Sequence, residues 1–324
     1  MKTIHFVFYN RFSYFNQGDI NALPLLYFND FFKNYNVVVS NIFNLPRKKI
    51  SPSDIVIFGG GGIIDDNKIW NTAISSAQKL CENVIIWGAG INTIMQDGTI
   101  KHLEPNVDYS KMKLVGVRDY NNPLGIPYTP CSSCLISYLE KKASIKHEIV
   151  QMIHPRKQDQ KFINLDLPNL NHFSSLETIF DFISSSEVVL TTSYHCAFWA
   201  VLMKKKVIIP ESKLRATKYY FYKYKPAVLE DEQFTNIDSI YKIIDTVPVY
   251  ENALSESRSE TLKFFSQVQN IVFNIFGDSS LVEENNFAKT MVTLSEYRSE
   301  LITLNDRIKK LVNLVNSMNE NDTD

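Results

Sequence analysis

The densest run of residues able to do chemistry is Thr191-Thr192-Ser193-Tyr194-His195-Cys196. An apolar run at 188–190 precedes these hydroxyls. A second apolar stretch containing Ala197, Ala200 and Val201 follows, and then a further run at 207–209. The pattern predicts strand, turn, helix over 194–203, and strand. Ser193, Tyr194 and His195 therefore sit at a helix N-terminus. The helix dipole is positive there, which favours a neutral, base-competent imidazole and welcomes anions. His195 is the candidate proton carrier. The competing reading is a buried histidine satisfied by a backbone carbonyl, which would also have to explain the hydroxyl cluster.

Other groups could join it. Gly59-Gly60-Gly61-Gly62 follow the strand-like run DIVIF at 54–58. Residues without Cβ let a ligand approach backbone N–H donors, and four in a row exceed what a tight turn needs. Gly60, Gly61 and Gly62 are the candidates for such an approach; the spacing is neither a P-loop nor a dinucleotide fingerprint. Arg118 directly follows the run at 114–117, where a guanidinium can clamp a carboxylate or phosphate, or simply pair with Asp119. Asn16, Gly18 and Asp19 follow the first apolar run; Asp19 could meet sugar hydroxyls or cap a helix. Cys131 and Cys134 form a lone CxxC without the further ligands a zinc site needs, so packing or pocket lining is the better reading, and no metal site is expected. Lys213, Arg215 and Lys218, with Lys223 and Lys225 and interleaved tyrosines just beyond, form a basic, aromatic stretch after a strand. It suits a phosphorylated donor, or a solvated face.

These groups need a scaffold that brings distant chain segments together. Short β-branched runs at 3–9, 37–39, 54–58, 84–87 and 114–117, several closed by glycine, alternate with helical stretches such as 20–32. Buried parallel strands in a doubly wound sheet have this form. A second α/β unit begins near Glu148, with strands at 149–154, 162–165, 188–191 and 207–209. Ser174 and Glu177 read as a capping box opening a helix to about 183. The reading is therefore α/β, with two Rossmann-like domains at 1–145 and 146–250. Ligands would bind between them, at the carboxyl ends of the strands. A helical tail spans 251–324. Within it Phe287, Leu294, Leu301, Ile308 and Val315, and three residues after each of the first four, Thr290, Tyr297, Leu304 and Leu311, make a heptad seam. That seam predicts a coiled coil from about 287 and a homo-oligomer, or else one amphipathic helix packed on its own body.

Composition excludes several classes. The 324 residues are 44% hydrophobic and 21% charged with a formal net charge of -1, which gives no electrostatic case for nucleic acid. No stretch approaches the roughly 18 apolar residues of a membrane span. The first residues do not form a signal peptide, and 4 cysteines are too few for a disulfide scaffold, so the expected compartment is the cytoplasm.

Taken in order, Asn16 with Gly18-Asp19, GGGGIIDD, WGAGIN, VGVRD and TTSYHCAFWAVLMKKKVII make the chain resemble the polysaccharide pyruvyl transferases over roughly residues 1–230. The resemblance implies a GT-B-like pair of domains; the sequence itself gives no reason to expect a cofactor. It implies transfer of a pyruvyl unit from phosphoenolpyruvate to a sugar or lipid-linked oligosaccharide acceptor, closing a ketal during capsule or exopolysaccharide synthesis. The place of work would be the cytoplasm, free or peripherally at the inner face of the membrane. It assigns His195 as the active-site histidine and Arg118 as the strand-end arginine; the residue chemistry itself puts Ser193, Tyr194, Lys213, Arg215 and Lys218 on the donor side. Cys196 stands where the family often has Gly or Ala. A glycosyltransferase using a nucleotide sugar, and a non-catalytic coiled-coil assembly protein of the same pathway, remain the alternatives.

Overall fold

The computed structural model describes residues 2–9, 16–45, 49–64, 68–92, 107–155, 157–164, 166–171, 174–212 and 222–277. Lys213, Arg215, Lys218 and the heptad region from 287 onward lie outside these residues.

Two parallel sheets carry the fold. In the first, β1 (Ile4–Phe8), β2 (Val37–Asn41), β3 (Ile55–Gly59), β4 (Asn83–Ala89) and β5 (Leu114–Val117) run in the order β2-β1-β3-β4-β5. In the second, β6 (His147–Met152), β7 (Ser186–Thr191), β8 (Lys206–Pro210) and β9 (Ala227–Leu229) lie in chain order. Helices cover both faces, so central strands such as β3 are buried along their whole length and read as apolar runs without alternation. The helices are α1 (Gln17–Asn21), α2 (Asn29–Phe32), α3 (Lys68–Leu80), α4 (Leu176–Ser184), α5 (Tyr194–Leu202), α6 (Asp231–Phe234), α7 (Ile237–Ile243) and α8 (Ala253–Phe276). None of the described helices is long and apolar enough to cross a membrane.

Several expectations are corrected. The helix expected over 20–32 is broken into α1, a 3-10 turn at Pro24–Leu26, and α2. Pro24 has no N–H to donate, and it holds Leu23 in an extended conformation (φ -75°, ψ 116°). Of the strand expected at 162–165, the described residues 162–164 form none. Lys157–Phe162 winds into a 3-10 helix instead, and the Gln151 side chain from β6 bonds the Asn164 backbone N–H at 3.0 Å. The N-cap of α4 is Ser175, whose Oγ accepts from Thr178 N at 3.1 Å. Ser174 is buried, and its carbonyl accepts from Gln17 Nε2 across the two units. The three-residue β9 was not expected.

Residues 253–276, read as the start of the tail, return to the first sheet. Phe264, Val268 and Val272 on one face of α8 join Phe28, Phe32 and Trp87 in its core. Phe265 stacks on Phe28 with ring centres 3.8 Å apart. Residues 131–139 cross the other way. They precede the expected boundary at 145, yet Cys131, Cys134, Ile136 and Leu139 pack against α4 and α5. The two α/β units are thus laced together twice.

Candidate active site

The carboxyl ends of five strands converge. β1 ends beside Tyr9, β3 runs into the glycines, β4 into Gly90, β5 into Arg118, and β7 into Ser193. In an open α/β sheet ligands bind at this edge, because the loops there are free to vary while the strands fix their roots. A small cavity of about 70 Å3 lies between the two units, with Tyr9, Asp19, Trp70 and Asn92 on one side and His154, Ser193 and His195 on the other.

Glycines shape its floor. Gly90 N donates to Gly61 O at 2.8 Å, and Asn92 Nδ2 donates to Gly62 O at 2.7 Å, so the loops after β3 and β4 are tied together. A Cβ on Gly60 would stand 2.1 Å from the Ala22 Cβ, and one on Gly62 would stand 2.2 Å from Asn92 Nδ2. Gly60 and Gly61 also hold φ of 64° and 73°, conformations that glycine adopts without strain. The space above Gly60 and Gly62 is therefore filled by the protein's own atoms. Of the three candidate glycines, Gly62 lines the cavity.

Asn16 caps α1, its Oδ1 accepting from Gly18 N at 3.0 Å, while its Nδ2 donates to Asp19 Oδ2 at 3.0 Å. The cap is thus Asn16, and Asp19 is turned toward the cavity. Gly18 has a different reason to be glycine: a Cβ there would lie 2.1 Å from His195 Nδ1.

On the opposite wall, Thr191 Oγ1 donates to Met152 O at 2.7 Å and accepts from Ser193 N at 3.0 Å. Thr192 Oγ1 accepts from His154 N at 2.8 Å. Two of the three hydroxyls therefore build the turn that launches α5. Ser193 occupies the N-cap position without a side-chain capping bond and lines the cavity. Every residue of α5 is buried, which explains its unbroken apolar sequence. His195 is 4% exposed, with Nε2 at 3.7 Å from Cys131 Sγ.

Arg118 is the central charge. It is 5% exposed, and its guanidinium carbon sits 3.6 Å from the centre of the Tyr194 ring. Gly90 makes room for it, since a Cβ there would lie 2.3 Å from Nε. Nε and Nη1 are buried and have no hydrogen-bond partner among the described residues. Asp119 does not take them; its Oδ2 accepts from Ile91 N at 2.8 Å. Burial pushes the Asp119 carboxyl up to about 6, against the opposing pull of Arg118 and of the Ile91 N–H. A buried cation with open donors, stacked on an aromatic face, has the chemistry to pair with a carboxylate or phosphate.

Lys223 is turned elsewhere. Its Nζ pairs with Glu256 Oε2 at 2.9 Å and lies near the rings of Tyr120, Tyr128 and Tyr224. Among the described residues no three His, Cys, Asp or Glu side chains converge as a metal site. Tyr9, Trp70 and Asn92 join the site without having been expected there. Tyr9 and Asn92 follow strand ends, and that position was the available signal; Trp70 carried none.

A family model described as polysaccharide pyruvyl transferase matches residues 12–209. No curated protein matches in sequence. Among solved structures, a functionally uncharacterized protein from Klebsiella pneumoniae is 17% identical with a TM-score of 0.41, over 70% of this chain and 92% of that one. The wall teichoic acid polymerase TagF is 10% identical with a TM-score of 0.39, over 84% of this chain and 88% of its own. Neither likeness is close enough to bear on function.

Proposed function

Because the chain belongs to the polysaccharide pyruvyl transferase family, we propose that it moves a pyruvyl group from phosphoenolpyruvate onto two hydroxyls of a sugar, closing a cyclic ketal in the synthesis of a capsule or exopolysaccharide. One observation carries the reading. The buried Arg118 guanidinium, with Nε and Nη1 unpartnered among the described residues, shares a cavity with His195 and Asp19. Phosphoenolpyruvate presents a carboxylate and a phosphate, and a buried guanidinium answers that kind of charge.

In the proposed reaction a sugar hydroxyl adds to C2 of the enol, and a proton adds to the methylene, which becomes the methyl. A second hydroxyl then displaces phosphate. Two hydroxyl protons are given up; one ends on the methyl and the other leaves with phosphate. His195 carries a proton between hydroxyl and methylene, Asp19 orients the acceptor, and Arg118 holds the donor's negative charge as it redistributes. Lys213, Arg215 and Lys218, close in sequence to the end of β8, would add to the donor side. The chemistry calls for no redox or metal cofactor. In this reading two α/β units meeting at their strand ends, with α8 returning to the first, are a GT-B-like frame, and the enzyme works where phosphoenolpyruvate is made, in the cytoplasm.

Thermal stabilisation tests the proposal. Phosphoenolpyruvate at about 100 times its dissociation constant should stabilise the protein by about 2.7 kcal/mol. The effect should vanish in Arg118→Met. If only a nucleotide sugar stabilises the protein, it is a glycosyltransferase instead, and the pyruvyl reading is wrong.

A further inference from the structure

His195 is held from behind by a chain of buried side chains. Trp199 Nε1 donates to Ser133 Oγ at 3.1 Å, the Ser133 hydroxyl donates to Cys131 Sγ at 3.2 Å, and that sulfur lies 3.7 Å from His195 Nε2. Cys131 and Ser133 are wholly buried, and Trp199 is nearly so. The far end sets the direction of the chain. An indole N–H can only donate, so the Ser133 oxygen accepts and its proton is turned onto the sulfur. Trp199 lies about one turn along α5 from His195, so the chain leaves that helix, passes through the 3-10 turn Ser132–Leu135, and returns to it.

The turn is itself anchored. Cys134 Sγ lies 3.2 Å from Thr261 Oγ1 of α8, and Arg258 Nε and Nη2 donate to the carbonyls of Cys134 and Ile136 at 3.1 and 3.2 Å. Cys131 therefore cannot drift away from the imidazole without moving a helix.

We infer that Cys131, backed by Ser133 and Trp199, is the positioning residue of His195, fixing the ring through its Nε2 edge. The inference rests on reading His195 as the proton carrier. A thiol suits the task because sulfur is a weak donor and a weak acceptor. It can give S–H to a neutral ring or accept N–H from a charged one, and it binds neither state tightly. Burial pushes the Cys131 thiol up, although Arg118 and Ser133 pull it down, so no thiolate competes for the proton. Among the described residues, the other ionisable groups that share the ring's cavity are Asp19, Arg118, His154, Tyr194 and Tyr9.

The experiment is nitrogen-15 histidine NMR on the full chain across pH, with the His195 signals identified by their loss in His195→Gln. In Cys131→Ala a charged His195 loses its Nε2 acceptor in a dry place, so its titration midpoint should fall by about half a pH unit or more. Cys131→Ser, whose oxygen is the better acceptor, should raise the midpoint above the wild-type value and move the Nε2 shift. In turnover of phosphoenolpyruvate, Cys131→Ala should lower kcat about tenfold and leave KM unchanged. A folded Cys131→Ala protein with unchanged midpoint and Nε2 shift overturns the inference. If that variant does not fold, the same two readings unchanged in Cys131→Ser overturn it. The NMR readings need no substrate, so an absence of phosphoenolpyruvate turnover would sink the proposed reaction without touching this assignment.

Discussion

Gly18 and His195, from opposite walls of the cleft, are in contact: a Cβ on Gly18 would lie 2.1, 2.3 and 2.6 Å from Nδ1, Cγ and Cβ of the histidine. The turn after β1 thus seats directly on the imidazole. Gly18→Ala should drive the ring out of place, because His195 is buried and its Nε2 edge is backed by Cys131. Overpacking of this kind costs about 1–3 kcal/mol. Displacing a reacting group by about an ångström can cost about a hundredfold in rate. The expected outcome is a folded protein with a lower Tm and a kcat reduced about a hundredfold, read by calorimetry and phosphoenolpyruvate turnover.

Arg118 should separate stability from function. Its buried guanidinium carries a desolvation cost, and the described structure returns to it one ring face and no hydrogen bond at Nε or Nη1. Replacing such a group by an apolar side chain of similar length is often neutral or stabilising, whereas the stacking on Tyr194 contributes only about 1–2 kcal/mol. Arg118→Met should therefore hold its Tm within a few degrees or raise it, while losing all stabilisation by phosphoenolpyruvate. A large drop in Tm would mean that Arg118 serves the fold.

These two residues also mark where the sequence was informative. β3, β4 and β7 were legible because a strand buried on both faces has a continuous apolar run, as at 55–58, 84–87 and 188–190. His195 stood out because hydroxyls crowd a strand end. The reasons for Gly18 and Gly90 were hidden, since the atoms they make way for, on His195 and Arg118, lie elsewhere in the chain. The return of α8 was equally hidden: an amphipathic helix has an apolar face whether it covers its own first sheet or something else. Cys131 looked like packing, and only its distance to Nε2 gives it a task. Pro24 was a visible breaker inside 20–32 and should have ended that helix.

Asp119 should leave a mark on stability as a function of pH. Its carboxyl is held up to about 6, above the ordinary value of 3.8, by burial. A carboxyl raised in the folded state penalises its ionised form. The penalty is full above about 6 and disappears as pH falls toward the unfolded value, amounting to about 3 kcal/mol at most. Asp119→Asn can still accept from Ile91 N through its amide oxygen and carries no charge. Denaturant unfolding at pH 5 and pH 7.5 should show wild type losing stability at the higher pH relative to Asp119→Asn; parallel behaviour of the two proteins would contradict the assignment.

Asp54 works in the opposite sense. Burial alone would raise it, but N–H donors from Ser51 and Thr3 and the His5 ring, with Nε2 at 3.2 Å, hold its carboxyl below the ordinary value. Stability from this group is present above the unfolded value and is lost as pH falls through the folded one. Asn cannot replace it, because an amide has one acceptor oxygen where three donors converge. Asp54→Asn should cost about 2 kcal/mol or more at neutral pH and flatten the acid limb of the unfolding curve.

The heptad seam at 287–315 lies beyond α8, which closes at Gly277, where φ is 75° and N–H donates to Phe273 O at 2.8 Å. The apolar face of α8 is spent on the first sheet, where Phe264, Val268 and Val272 pack among the described residues. A chain ending at residue 277 should keep its Tm within a few degrees and keep its stabilisation by phosphoenolpyruvate. If the repeat of apolar residues every seven positions makes a coiled coil, the same truncation should reduce the mass in solution to that of one chain, read by light scattering. An unchanged mass would remove the coiled coil from the account while leaving the site intact. A collapse in Tm would show instead that the segment packs on its own body.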